Sequence, residues 1–382
     1  MSHSRFRALA VFLLAAIVAC ASVPPCQLFA ASQAGAGQTS IQERLNRLKA
    51  DLFSGADRVN EAIGELKEIL ALDSRSAEGH FLLGIAYGRL GSAELVGEAK
   101  AELRQALALN PGFVQARFYL GEVYLKLGRA ERARDELETA LVQVPGHPQF
   151  LALLGEAERQ LGRPRRSLEL NRQALHVDQS FAQARYYVGL ALLDLRQRDE
   201  AIQELERVVQ SGSNVAEVYL ALGTAYLEAG HPAKALDVLR HGARLDPSRP
   251  DMRIQLARAY RSTGSLDEAE EQLKLALPEG TPMLASSYYQ EVESDLYLEQ
   301  GLITLQQRRL EVATEAFKKA LDIAPHHGPA HRHLAEAYML QGLYALASEH
   351  AAQAEKFGSP LPEDKRRSLR KRLDGKETGR RE

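Results

Sequence analysis

An aliphatic residue followed by glycine, often with a tyrosine three residues on, returns along this chain at a fixed interval. Leu83-Gly84 with Tyr87 and Leu120-Gly121 with Tyr124 open the series. Leu154-Gly155, Val188-Gly189, Leu222-Gly223 with Tyr226 and Leu256-Ala257 with Tyr260 continue it. From Gly121 to Ala257 every step is 34 residues, and Gly301 and Ala335 (with Tyr338) are again 34 apart. A period of about 20–50 residues marks stacked units, in which the period rather than the chain length sets how many there are.

A second thread runs in phase. Twelve residues after the glycine or alanine comes another small residue: Ala133, Ser167, Ala201, Ala235, Ala269, Ala313 and Ala347. A larger side chain usually follows four positions later, as at Leu137, Leu205, Leu239, Leu273 and Phe317. Gly128, Gly162, Gly230, Gly264 and Gly342 punctuate the middle of the unit, and Pro111, Pro145, Pro247 and Pro325 fall near its ends. These spacings predict two helices of about 12–14 residues joined by a glycine-bearing turn. The small residues belong where two helices cross closely and a larger side chain would force them apart. One such unit cannot bury its own apolar face, so the units must stack.

Leu120, Gly121, Tyr124, Ala133, Leu137, Ala140 and Pro145 carry a pattern that resembles the tetratricopeptide repeat. The resemblance covers most of the chain and implies an all-α fold, a right-handed superhelical solenoid of antiparallel helix pairs. The aromatic residue that often opens the family's first helix is replaced by Arg117, and by His80 one unit earlier. Residues 41–76 read as a degenerate N-terminal capping repeat, in which Ala62, Leu66 and Ile69 keep the second-helix pattern. Repeats 1–6 then span 77–277 and repeats 7–8 span 288–360. The step from Gly84 to Gly121 is 37, which places three extra residues in a longer turn over Ser92–Glu98. The step from Ala257 to Gly301 is 44, and the insertion at 278–287, with Pro278, Gly280 and Pro282, is expected to form a hinge, a bend or an extended first helix. Residues 361–382 read as a capping helix, with Leu369 and Leu373 on one face, running into a tail of nine basic and five acidic residues.

The N-terminus has the form of an address. Arg5 and Arg7 precede an unbroken apolar run, Ala8–Ala19, whose 12 residues fall short of the roughly 20 that span a bilayer. Residues 1–19 therefore read as a secretory signal. Ile17-Val18-Ala19-Cys20 resembles the bacterial lipobox, which implies cleavage before Cys20 and lipidation of its sulfur. Two other readings stay open: an ordinary signal cut beside Ala21 or Ala31, and an uncleaved anchor. Residues 20–40, rich in Ala, Ser, Gln, Gly and Pro, would then be a flexible tether. With Ala21 rather than Asp after the cysteine, the lipobox resemblance implies an outer-membrane lipoprotein facing the periplasm. A chain cut elsewhere would be periplasmic or secreted.

Cys20 and Cys26 are the two cysteines, so no disulfide framework, cysteine-ligated zinc or cysteine nucleophile is available in the repeats. Lys and Arg total 48 against 50 Asp and Glu, a balance that argues against a nucleic-acid partner held by bulk charge. No phosphate loop, nucleophile elbow or zinc-protease motif occurs. His326, His327, His331 and His333 are dense, but Gly328-Pro329 intervenes and they read as solvated turn residues. Arg163–Arg166 and Lys365–Arg367 read as a solvated turn and tail. No catalytic residue, cofactor or metal is expected, and the chain reads as a non-enzyme.

The resemblance implies a concave wall lined by the first helices. One row lies three residues before the glycine position and includes Phe81, Phe118, Tyr186, Leu220 and Ile254. Another lies one residue after it and includes Ile85, Glu122, Glu156, Leu190 and Arg258. An apolar stripe flanked by glutamates suits an extended or helical peptide. The second row holds no Asn, which argues against the clamp for a C-terminal carboxylate found in chaperone-binding relatives. The expected function is a protein–protein interaction scaffold of the bacterial cell envelope with polypeptide partners, anchored to the membrane if Cys20 is acylated. The alternative is a regulatory or substrate-recruiting subunit of an envelope glycosyltransferase or protease. The oligomeric state stays open.

Overall fold

A computed structural model of the protein describes residues 36–54, 58–91, 93–276 and 287–378. Cys20, the signal, most of the tether and positions 278–286 of the insertion lie outside the described residues. Within them the chain forms nineteen α-helices and no strand. In chain order these are α1 (Ala36–Phe53), α2 (Val59–Leu72), α3 (Ala77–Leu90), α4 (Ala93–Leu109), α5 (Val114–Lys126) and α6 (Ala130–Gln143). There follow α7 (Pro148–Gln160), α8 (Pro164–Val177), α9 (Ala182–Asp194), α10 (Arg198–Gln210), α11 (Ala216–Glu228), α12 (Pro232–Leu245) and α13 (Pro250–Thr263). The last six are α14 (Leu266–Ala276), α15 (Ser287–Gln306), α16 (Leu310–Ile323), α17 (Gly328–Leu340), α18 (Tyr344–Lys356) and α19 (Glu363–Thr378).

The array divides into two compact units, with the boundary inside α11, between Ala225 and Tyr226. In the N-terminal unit α3, α5, α7 and α9 each pack on the second helix of their own pair and on that of the preceding pair. Consecutive first helices also touch one another, which makes their layer the inner, shorter one of this unit. In the C-terminal unit α13, α15 and α17 follow the same rule, and α19 packs on α18.

The small-then-large spacing turns out to be a direct contact. A Cβ built on Gly84 would stand 2.8 Å from Leu103, on Gly121 2.9 Å from Leu137, on Gly189 2.6 Å from Leu205, and on Gly301 2.4 Å from Phe317. These partners are fully buried, so the glycines set how closely the two helices of a pair approach. The mid-unit turn needs a left-handed residue. Gly128, Gly162, Gly230, Gly264 and Gly342 supply it with φ between 67° and 88°, and Arg196 and Arg308 adopt it at φ 62° and 64° where the unit lacks a glycine.

The missing aromatic is replaced by a polar clamp at the position four residues before the glycine. Arg117 donates from Nη1 to Glu136 on α6 (2.7 Å) and from Nη2 to the Pro111 carbonyl (2.9 Å). Arg185 repeats this with Glu204 on α10 (2.8 Å) and the Gln179 carbonyl (2.7 Å). His80 bridges Glu102 (2.5 Å) and the Ser74 carbonyl (3.2 Å). Tyr219 donates to the Ser213 carbonyl (2.9 Å), and Arg253 bonds Gln272 on α14 (2.8 Å). Each clamp ties a first helix to the loop before it, to the second helix after it, or to both. A charge-assisted bond of this kind contributes about 1.5–3 kcal/mol when well shielded.

Three expectations are corrected or refined. The extra residues near position 92 do not form a longer turn: α3 closes on Gly91 at φ 69° and α4 begins at Ala93, so they lengthen the second helix to 17 residues. The first helix after the insertion is extended, α15 running 20 residues where its counterparts run 13 or 14. His326 and His327 do lie in a turn, and the His327 ring accepts from the Ala330 amide as an N-cap. His331, by contrast, is buried in α17. Its Nε2 faces the Pro325 carbonyl at 3.1 Å, so the proton sits there, and its Nδ1 accepts from His350 Nδ1 at 2.9 Å. It is the clamp of the last repeat, with a histidine in place of the glutamate.

Candidate functional site

In the N-terminal unit each first helix is held by two second helices and by its neighbours in the same layer, so this layer is the surface that the unit fixes most firmly. Of the ten candidates, Phe81, Ile85, Glu122, Glu156 and Ile254 are buried, while Phe118, Tyr186, Leu190, Leu220 and Arg258 are half-buried. Phe81 packs on Phe113 and Tyr119, with ring centres 4.6 and 5.6 Å away. It works as packing between units and offers no wall to a ligand. Ile254 is likewise enclosed, with Ala257, Leu273 and Val292, in the core of the C-terminal unit.

Phe118, Tyr186 and Leu190 are brought together. With Leu125 they pack against one buried cluster that includes Ala152, Leu153 and Tyr187, and Phe118 stacks on Phe150 at 5.3 Å. Between Phe118 and Tyr186 the same row holds the small and fully buried Ala152.

Charges frame this apolar floor as ion pairs. Glu122 pairs with Lys126 at 3.1 Å. Glu156 accepts from Arg159 Nε (2.8 Å) and Nη2 (3.0 Å) and from Gln160 (2.9 Å), while Arg159 Nη1 reaches Asp194 at 3.1 Å. Burial opposes the charge on Arg159, but Glu156 and Asp194 more than offset it and hold the guanidinium above the ordinary arginine value. Tyr187 is pushed up by burial and then by Glu156, so it stays a neutral phenol, accepting from Gln183 at 3.2 Å. A buried carboxylate that is bidentately paired is fixed in place and makes a poor general base.

In the C-terminal unit Arg258 belongs to a comparable group. Its Nε and that of Arg261 both donate to the buried Glu299, at 2.7 and 3.0 Å. Burial acts against Arg258, and Glu299 reverses this and raises its pKa. Leu125, Lys126, Arg159, Gln160, Asp194 and Arg261 were not among the candidates. The signal was there: they lie four or five residues after the glycine position, in phase with the rows that were read. Among the described residues no helix is long and apolar enough to cross a membrane, and no group of three His, Cys, Asp or Glu could hold a metal.

Tetratricopeptide repeat models match residues 92–157, 226–290 and 304–358, and another matches 152–216, together more than half of the chain. The chain belongs to the tetratricopeptide repeat family. This repeat protein is similar in structure to the APC/C hetero-tetramer Cut9–Hcn1, with a TM-score of 0.66 at 14% identity. The match covers 89% of this chain and 64% of that one, so the chain spans less than two thirds of that relative. A tetratricopeptide repeat protein from Parabacteroides merdae matches with a TM-score of 0.50 at 18% identity, over 69% of this chain and 99% of its own. The Pseudomonas aeruginosa pilF structure matches at 0.48 and 21% identity, over 58% of this chain and 97% of its own. At these identities the first two likenesses show the fold alone. No curated protein matches the sequence.

Proposed function

We propose that this tetratricopeptide repeat protein is a non-enzymatic scaffold that holds a partner polypeptide on the first-helix face of its N-terminal unit. The observation that carries the reading is the floor made by Phe118, Leu125, Tyr186 and Leu190, open enough to leave each half-buried and bordered by carboxylates that are already paired. Such a face rewards apolar side chains of an extended or helical segment, and its fixed ion pairs supply register. It offers no activated nucleophile or acid–base pair.

A photo-crosslinking residue placed at Tyr186 or Phe118 in the full chain tests this. Discrete crosslinked polypeptides are expected from both positions and not from the highly exposed Val142. Equal crosslinking from Val142, or none at the two aromatic positions, refutes the assignment. We place the protein in the cell envelope on the strength of the apolar run 8–19 and the lipobox-like residues 17–20. The Cys20→Ser variant should then leave the membrane fraction, and its retention there would overturn the lipid anchor.

A further inference from the structure

Where Arg117 and Arg185 clamp their repeats onto Glu136 and Glu204, the last repeat uses two histidines. His331 on α17 is buried and His350 on α18 is half-buried. Their ring centres are 5.2 Å apart, and at that separation an Nδ1–Nδ1 distance of 2.9 Å sets the rings edge to edge. With one proton on His331 Nε2, facing the Pro325 carbonyl, and one on His350 Nδ1, the bonded pair is neutral. A third proton can go to His350 Nε2 and leave this bond intact. A fourth has only His331 Nδ1 to go to, where it breaks the bond and sets two cations against each other.

The pair sits at the corner that leads to the cap. The His331 ring stacks on Phe357, the C-cap of α18, at 5.7 Å, and His350 packs on Tyr338 of α17, also at 5.7 Å. The start of α17 is pressed onto the same segment: a Cβ on Gly328 would stand 2.6 Å from the Phe357 carbonyl oxygen and 2.9 Å from Ser359. Residues 357–362 then run into α19, whose Leu369 is buried with Leu361. The groups that act on His350 are His331 and Tyr338 from α17, Lys318 from α16 and Glu349 on its own helix. Burial first, then His331 and Lys318, resist a charge on His350, while Glu349 favours one. His326 and Lys356 share the Phe357 ring with His331. From α19, Lys365 goes to Glu336, and Arg366 to Glu355 and Glu363.

We propose that His331 and His350 form a proton-operated latch, which holds the last repeat and its cap closed near neutral pH and releases them in acid. Opening the pair frees His331 Nδ1, so below the ordinary histidine value the open state binds at least one proton more than the closed one. With that value near ~6.5, one extra proton favours opening about thirtyfold at pH ~5 relative to pH ~7.5. The stabilisation is thus present above this range and lost as the pH falls through it. An arginine–carboxylate clamp keeps both its charges over the same range, so the repeats held by Arg117 and Arg185 do not respond.

Hydrogen exchange of the full chain, read by mass spectrometry at pH ~7.5 and ~5 with times scaled to the intrinsic rate, tests this. Peptides from α17, α18 and α19 should lose protection about thirtyfold on acidification, while those spanning the Arg117–Glu136 and Arg185–Glu204 pairs keep theirs. The His331→Arg/His350→Glu variant carries the pair of those repeats and should hold its last repeat equally at both pH values. Unchanged protection in α17–α19 overturns the proposal. So does a loss shared equally by α13, which is opening of the whole unit, or the same loss in the double variant. Should that variant fail to fold, nitrogen NMR of the histidine-labelled chain decides. At neutral pH His331 should carry its proton on Nε2 and His350 on Nδ1, and both should become fully charged in step with the exchange. The opposite tautomers, or both rings charged with protection intact, overturn the latch.

Discussion

Gly301→Ala is the sharpest probe of how the helix pairs are built. The added Cβ would stand 2.4, 2.6 and 2.8 Å from three ring atoms of Phe317, against a normal carbon contact of about 3.5–4.0 Å. Phe317 cannot swing aside, being fully buried and stacked on His333 with ring centres 6.0 Å apart. Overpacking of this kind costs about 1–3 kcal/mol, and three overlapping atoms put it near the upper end. Replacing glycine by alanine inside a helix returns about 1 kcal/mol. The net expectation is a loss of about 1–2 kcal/mol, read as a lower urea midpoint by far-UV circular dichroism. The chain supplies its own control: Ala257 occupies the equivalent position and faces the smaller Leu273. Phe317→Leu alone should cost about 1 kcal/mol through the void it leaves. Combined with Gly301→Ala it should recover at least about 1 kcal/mol relative to the sum of the two single changes. A raised midpoint for Gly301→Ala, or strict additivity of the pair, would show that close approach is not why glycine stands there.

Two further outcomes are expected. Arg308 holds a left-handed backbone where other units use glycine, so Arg308→Gly should raise the urea midpoint by the equivalent of about 0.5–1 kcal/mol; a fall would mean that its side chain outweighs the strain. His350 is held below the ordinary histidine value by burial, then by His331 and Lys318, with Glu349 acting the other way. The unfolded chain takes up a proton near pH ~6.5 that the folded C-terminal unit resists, so stability present above that pH is lost as the pH falls through it. His147 in the N-terminal unit, also lowered by burial, contributes with the same sign. His350→Gln should therefore flatten part of the acid-side slope of the midpoint, and an unchanged slope assigns it all to other groups.

The period, the pairing of helices and the positions of close approach could be read in the sequence because each is a local rule repeated in phase. Gly121 and Leu137 announce their contact through spacing alone. The clamps could not be read that way. Arg117 and Glu136 stand 19 residues apart among many other charges, and what singles them out is that Arg185 and Glu204 repeat the interval. The candidate face was legible as rows but not as surface. Phe81 and Phe118 hold the same position in successive units, yet Phe113 and Tyr119 close over Phe81 and leave Phe118 half open. Such differences depend on the size of residues in neighbouring units. His331 misled for a related reason: its partner, His350, belongs to the second helix and lies outside the dense cluster.

Near-identical units carry a hazard of their own: a first helix can fold against a second helix that belongs elsewhere in the chain, or to another molecule. The contact residues make such exchanges expensive. Arg185 set against α8 would meet Leu170, the counterpart of Glu204, and be left buried without an acid. Ala335 set against α16 would collide with Phe317, while Gly301 set against α18 would face Ala351 across an empty space. Each pair thus carries a lock matched to its own key, varied from one repeat to the next. A chain homogenised to one consensus repeat would lose that discrimination and be more prone to exchange helices between molecules.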